Sequence, residues 1–223
     1  MPGQPPDALH RAAGGPKLKA CKGVPMPGLD ETKQFVPLKI AVLTISDTRS
    51  LKDDKSGALL VQRIVAAGHY VAERIIKAGH KVAARTIVRD DVEMIRAQVQ
   101  AWIADPAIDV IISTGGTGFT GRDVTPEAVE PLFDKKMDGF SALFLVVSFP
   151  KIGTSAIQSR ATAGVAGSTY IFCLPGSPGA CKDAWDEILV HQLDYRYGPC
   201  NFVEIMPRLD EHLRRPKAKG ATV

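Results

Sequence analysis

From Pro37 onward, short runs of branched apolar residues alternate with stretches whose apolar positions recur every three or four residues. Lys39 to Ser46 is nearly continuous in apolar side chains and reads as a strand buried on both faces, as in a parallel sheet. A polar loop from Asp47 to Asp54 follows, and a helix is expected to begin near Ser56. The pattern then predicts a strand near Val82–Val88, an amphipathic helix from about Val92 to Ala104, and a third buried strand at Val110–Thr114. A last strand, Thr169–Leu174, leads into a helix that carries Trp185, Ile188 and Leu189 on one face; Trp102 and Trp185 are both expected in the core. Strands and helices in this alternation predict an α/β fold, a three-layer sandwich with a mostly parallel sheet. In such sheets ligands gather at the carboxyl ends of the strands. There the loops Ser46-Asp47-Thr48, Thr114–Asp123 and Pro175–Gly179 would converge.

Several segments fall outside this rhythm. Residues 1–28 are rich in Pro, Gly, Ala and Lys without a period and read as a disordered tail, with Met26 as a conceivable later start. The patterned domain spans 37–213, and 214–223 reads as a basic tail. Residues 61–71 are echoed by 72–82 at an offset of eleven, about three helical turns, which a helix can absorb while keeping its buried face. His69 and His80 lie in this echo and read as surface or cap residues. Phe140 to Phe149 is so apolar that it is expected either to be covered by another copy of the chain or to form a core strand.

The chemistry concentrates after the third strand. Four glycines fall among the seven residues Gly115–Gly121, and Asp123, Thr125, Pro126 and Glu127 follow. Such a loop brings backbone N–H groups close to an anion. Thr125 is expected to cap a helix with Pro126 in its first turn, and a helix opening at a strand end favours phosphate. Gly116 to Gly121 fits a GxGxxG string, but a dinucleotide fingerprint belongs on the first strand. The same glycines imitate a P-loop, but Arg122 and Asp123 stand where Lys and Ser or Thr are needed. An acid inside an anion loop makes sense when a metal ion or a proton transfer needs it. Asp90 ends the second strand on the same side, whereas Asp91 is a candidate helix cap. Ser159-Arg160 is a further candidate for holding an anion.

Composition narrows the classes. The chain has 223 residues, 45% hydrophobic and 23% charged, and suits one α/β domain with extensions. A net charge of +4 does not imply nucleic-acid binding. The four cysteines make no CxxC pair or zinc spacing, which suits a cytoplasmic protein with free thiols. No secretory segment and no apolar stretch long enough to span a bilayer is read, so no membrane partner is expected.

Four strings together resemble the molybdenum cofactor biosynthesis family that includes the bacterial B protein and the molybdopterin adenylyltransferase domains. They are Ala41–Arg49, Thr114–Ala128, Ile152–Ala161 and Leu174–Cys181, and the resemblance covers about residues 37–213. It implies a domain that binds molybdopterin and ATP, uses Mg²⁺, and assembles as a homotrimer or homohexamer. Its two important acids fall on Asp90 and Asp123, which would be catalytic and would hold the metal. Thr114 and Gly115, Gly116, Thr117 and Gly118 would cradle the ligand with backbone donors, beside Thr125, Pro175 and Gly176. Ser46, Asp47, Ser159 and Ser177 would meet pterin or nucleotide edges, and Arg122, Arg160 and Lys182 would add cationic contacts. The function implied is Mg-ATP-dependent adenylylation of molybdopterin before metal insertion; the alternative is a non-catalytic molybdopterin carrier or scaffold. One departure is Met137-Asp138-Gly139-Phe140-Ser141, where many relatives carry Pro after Met and Glu after Phe.

Overall fold

A computed structural model describes residues 28–47, 71–76 and 78–211. The expected helix start at Ser56, residues 61–70 of the echo, His69, residues 1–27 and the tail 214–223 lie outside the described residues. The strands are β1 (Gly28–Leu29), β2 (Lys39–Ile45), β3 (Lys81–Val88), β4 (Val110–Thr114), β5 (Lys135–Lys136), β6 (Thr162–Ala166), β7 (Thr169–Leu174) and β8 (Tyr197–Gly198). The helices are α1 (71–76), α2 (Val92–Ile103), α3 (Thr125–Val129), α4 (Asp138–Ile152) and α5 (Pro178–Ala184). α5 runs into a wider turn at Trp185–Leu189.

Six strands form one sheet in the order β3-β2-β4-β7-β6-β5. β3, β2, β4 and β7 are parallel, and β6 and β5 add antiparallel pairs at the far edge. Register brings Thr44 opposite Thr114, Thr114 opposite Leu174, and Ile45 opposite Val88, so the four parallel strands end on one line. From β2 the chain passes to β3 on one side and then returns to β4 on the other. The crevice between the carboxyl ends of β2 and β4 is therefore the switch point at which open α/β sheets bind ligands.

Alternate residues of each central strand face opposite layers. Ile40, Val42, Val110, Ile112, Tyr170, Phe172 and Leu174 pack with α1, α4 and α5, while Ala41, Leu43, Ile111, Ile171 and Cys173 pack with α2 and α3. This is the three-layer sandwich read from the continuous apolar runs, with Trp102 and Trp185 buried in opposite layers. β6 and β5 were not expected. β6 reads Thr-Ala-Gly-Val-Ala, a composition of weak strand propensity, and Gly164 is required because the Phe133 ring occupies the space a Cβ would take.

The Phe140–Phe149 run is a helix rather than a strand. Phe140, Phe144 and Ser148 of α4 face the core, while Val146 and Phe149 are 65% and 57% exposed. With the 3₁₀ turn after it, Asp138–Gln158 is 21 residues long and apolar enough to cross a bilayer by length and composition, contrary to the sequence reading. Its core-facing residues and the ion pairs from Lys151 to Asp183 and Glu187 fasten it to this domain.

His80 is another correction, because it is 5% exposed and not a surface residue. The second copy of the echo ends α1 with Gly79 in the left-handed region (φ 88°) and a bond from the His80 amide to the Ile75 carbonyl. That turn places the imidazole between Phe35 and Trp185, where Nδ1 accepts the Leu38 amide at 3.1 Å. Burial lowers its pKa from 6.5 to about 4, against the opposing charge of Asp194. The unfolded chain therefore takes up a proton near pH 6.5 that the folded chain refuses until about pH 4. The stability this group contributes is full above pH 6.5 and is lost as pH falls toward 4. Thermal unfolding followed from pH 7 to 4 should show a loss on the order of 1–3 kcal/mol that His80→Gln removes; an equal loss in that variant would clear His80 of the effect.

Candidate functional site

The crevice at the switch point is a cavity of about 500 Å³. From β2 it receives Ser46 and Asp47, from β3 Asp90, and from β4 Thr114 and the loop through Gly118 with Arg122 and Asp123. Pro175, Gly176 and Ser177 close it from β7, and Gln158 and Ser159 from the turn after α4. Gln158 is a lining residue that the sequence reading missed, although it stands beside a named one.

The loop takes its shape from local bonds. Gly115 (φ 110°) donates its amide to the Leu174 carbonyl at 3.0 Å, and Gly116 (φ 63°) accepts from the Thr125 amide at 2.9 Å. Thr125 is buried and donates its hydroxyl to the Gly115 carbonyl at 2.8 Å. It therefore fastens the loop from behind and neither lines the cavity nor caps the helix. The cap position is Val124, with no side-chain bond, and α3 is only five residues long. A short helix carries little dipole, so anion attraction rests on the loop amides more than on the helix end. Those amides are divided: Gly115 serves Leu174 and Gly118 serves the Asp123 carboxylate. The Gly116 and Thr117 amides have no protein acceptor among the described residues.

The two acids lie hard against the loop. A Cβ on Gly116 would come within 2.8 Å of Asp90 Oδ1, and one on Gly118 within 2.7 Å of Asp123 Oδ2. Their environments push them apart. Burial raises the Asp90 carboxyl above the usual range, and the Asp47 charge adds to the rise. Burial also works to raise Asp123. Bonds from the Thr120 hydroxyl and amide and the Gly118 amide, with the Arg160 charge, outweigh it and leave Asp123 below the usual range. Asp91 is the α2 cap, accepting the Met94 amide at 2.9 Å, so only its neighbour Asp90 faces the cavity. Asp47 accepts the Asp90 amide at 3.0 Å and tethers the β2 end to the β3 end. Among the described residues no group of three or more His, Cys, Asp or Glu converges as a metal cage.

The cations are placed unequally. Arg122 lies at the cavity mouth, 74% exposed and 3.8 Å from Asp47. Lys182 is exposed on α5 one turn past the Ser177 cap and does not line the cavity. Arg160 also does not line it: Nε donates to Gly118 O at 2.8 Å, one terminal nitrogen to Asp123 O at 2.7 Å, and the other pairs with Glu127. Expected as cationic ligands, Arg160 and Lys182 are a loop brace and a surface charge. Arg160 instead forms part of the wall of a second cavity of about 730 Å³, which also holds Ser141 and shares Ser159 with the crevice. The departure at Ser141 thus falls outside the loop crevice.

Beneath the crevice, Cys181 Sγ lies 3.1 Å from Thr114 Oγ1, and burial pushes its thiol up to about 11. Cys173 is buried in the opposite layer and pushed up to about 12.

A family model described as "Probable molybdopterin binding domain" matches residues 41–195. Molybdenum cofactor biosynthesis protein B of Escherichia coli (strain K12) is 47% identical over 169 residues, 76% of this chain and 93% of that protein. The protein of the same description from Bacillus subtilis (strain 168) is 39% identical over 168 residues, 74% and 92% of the respective chains. A crystal structure of a molybdenum cofactor biosynthesis protein B matches with a TM-score of 0.63 at 34% identity, covering 82% of this chain and all of that one.

Proposed function

Because this chain belongs to the molybdopterin-binding domain family and its role lies in molybdenum cofactor biosynthesis, we propose that it binds molybdopterin and transfers the AMP group of ATP onto it. The observation that carries the reading is the pair Asp90 and Asp123 pressed against an anion-binding loop. Carboxylates would repel phosphate there unless a cation lay between them. Mg²⁺ is held by one or two carboxylates together with substrate phosphates, and Asp90 and Asp123, the two acids against the loop, suit it, while the third acid of the crevice, Asp47, accepts the Asp90 amide. When bound, it would offset charge on the transferring phosphoryl group.

The remaining roles belong to side chains and amides of the crevice. The Gly116 and Thr117 amides would hold phosphate oxygens. Arg122 would move from Asp47 onto the triphosphate, and Ser46, Ser159 and Ser177 would meet ring edges. A phosphate oxygen of molybdopterin attacks the α-phosphorus of ATP. The bond from that phosphorus to the bridging oxygen breaks, and pyrophosphate leaves with the electron pair.

Purified protein supplied with molybdopterin, ATP and Mg²⁺ should release one pyrophosphate per molybdopterin consumed. One observation favours the carrier reading: among the described residues Arg122 is the sole cation lining the crevice, against three carboxylates, Asp47, Asp90 and Asp123. Stoichiometric binding of molybdopterin without pyrophosphate release would establish the carrier and defeat the transferase.

The outer face of α4 and of the 3₁₀ turn after it supports assembly into a homotrimer or homohexamer. Val146, Phe149, Ile152 and Ile157 are each more than half exposed, a patch that an isolated chain would present to water. Light scattering should give a multiple of the 23.9 kDa chain mass, reduced in Val146→Asp/Phe149→Asp. A wild-type mass of one chain would refute the assembly.

A further inference from the structure

We infer that Arg160 is the positioning residue of the anion loop: it sets the direction of the loop amides and of the Asp123 carboxylate without touching the substrate. Four positions of one segment end on this residue. Its backbone amide donates to Thr117 O at 2.9 Å, Nε to Gly118 O at 2.8 Å, one terminal nitrogen to Asp123 O at 2.7 Å, and the other pairs with Glu127 at the start of α3. The Phe119 ring lies 5.5 Å from the guanidinium carbon.

The consequence follows from peptide geometry. A trans peptide points its C=O and the next residue's N–H in opposite directions. Holding Thr117 O on the Arg160 side therefore turns the Gly118 amide the other way, and that amide is a donor to the Asp123 carboxylate. Holding Asp123 O fixes the backbone from which the same carboxylate springs. Arg160 thus acts on Asp123 from two directions, through its backbone amide at Thr117 O and through its side chain at Gly118 O and Asp123 O, and a side-chain substitution removes the second alone. Only a planar fork can serve Gly118 O, Asp123 O and Glu127 together; a single ammonium cannot. With its donors committed to the loop and its side chain outside the crevice lining, Arg160 has no part in holding the transferred phosphate.

The inference rests on the proposed metal role of Asp123, and its test needs no turnover. Full-length wild type, Arg160→Ala, Arg160→Lys and Glu127→Gln are compared without ATP or molybdopterin. The readouts are Mn²⁺ affinity by electron paramagnetic resonance and hydrogen exchange of the amides at 117–124. Arg160→Ala should weaken Mn²⁺ binding by roughly 10-fold or more, as loss of a group that orients a metal ligand does, and should speed exchange in that segment. Added guanidinium ion should restore much of both, and Arg160→Lys should fall short of wild type in both. Glu127→Gln, which leaves both carbonyl bonds in place, should stay close to wild type. Wild-type Mn²⁺ affinity and exchange in Arg160→Ala would overturn the inference. If that variant does not fold, Arg160→Lys matching wild type in both readouts would overturn it. A wild type that binds Mn²⁺ but transfers no AMP would defeat the proposed function and leave this inference standing. A wild type that binds no Mn²⁺ would overturn the role toward Asp123.

Discussion

Asp123→Asn should slow AMP transfer by on the order of 10²-fold or more while leaving the fold intact. Asp123 Oδ2 accepts the Thr120 amide at 2.9 Å and the Thr120 hydroxyl at 2.6 Å. Asparagine can keep its carbonyl oxygen in that place, so the turn at 120–123 survives. What disappears is the negative charge, which those bonds and Arg160 hold below the usual carboxylate range. A carboxylate so stabilised is ionised throughout the neutral range and is suited to a divalent cation. The loss should therefore appear in turnover and in Mg²⁺ dependence, with melting temperature close to wild type. Wild-type turnover in Asp123→Asn would end the metal role. A collapse in melting temperature would mean that the charge serves the fold instead.

The second large effect is expected at Gly115→Ala. Its φ of 110° lies in a region L residues rarely adopt, and the new methyl would collide with the Ile45 backbone oxygen. Neither the end of β2 nor the loop can withdraw, because the Gly115 amide is bonded to Leu174 and a Cβ on Gly176 would already lie 3.3 Å from Gly115 Cα. Strain and overpacking together should cost on the order of 3 kcal/mol. For a chain of this size that lowers the melting temperature by about 6–12 °C, and ATP affinity should fall with the displaced loop. Gly121→Ala is the control, since a Cβ there meets nothing within 4 Å. Equal melting of the two variants would show that the loop is not held as tightly as its contacts indicate.

Much of this site could be read from sequence because it is local. Asp123 and the glycines at 115–121 stand within a few residues of one another, and β2, β4 and β7 announce themselves by apolar runs that only a doubly covered strand requires, while the edge strand β3 alternates in burial. The misreadings share a different cause. α4 is apolar on the face it buries and also on the face it exposes, so no helical period stands out. β6 has little side-chain bulk, and its place is fixed by the distant Phe133 ring. Arg160 lies 37 residues from the Asp123 carbonyl it holds, and Lys182 is one helical step from the crevice, so neither destination is written in its neighbours. His80 owes its burial to Phe35 and Trp185 from remote parts of the chain.

The two thiols near the crevice bear on sulfur chemistry. Molybdopterin presents a pair of sulfurs that are readily oxidised, and a thiolate beside them would invite mixed disulfides. Cys181 sits directly under Thr114 at the crevice floor, yet it is fully buried, hydrogen-bonded to that hydroxyl and pushed up to about 11. Cys173 is likewise sealed within the opposite layer. Thiol–disulfide exchange proceeds through the thiolate and needs access to the sulfur. A dithiolene resting on this floor would therefore face hydroxyls, amides and carboxylates, and the two thiols beneath it would be chemically silent toward its sulfurs.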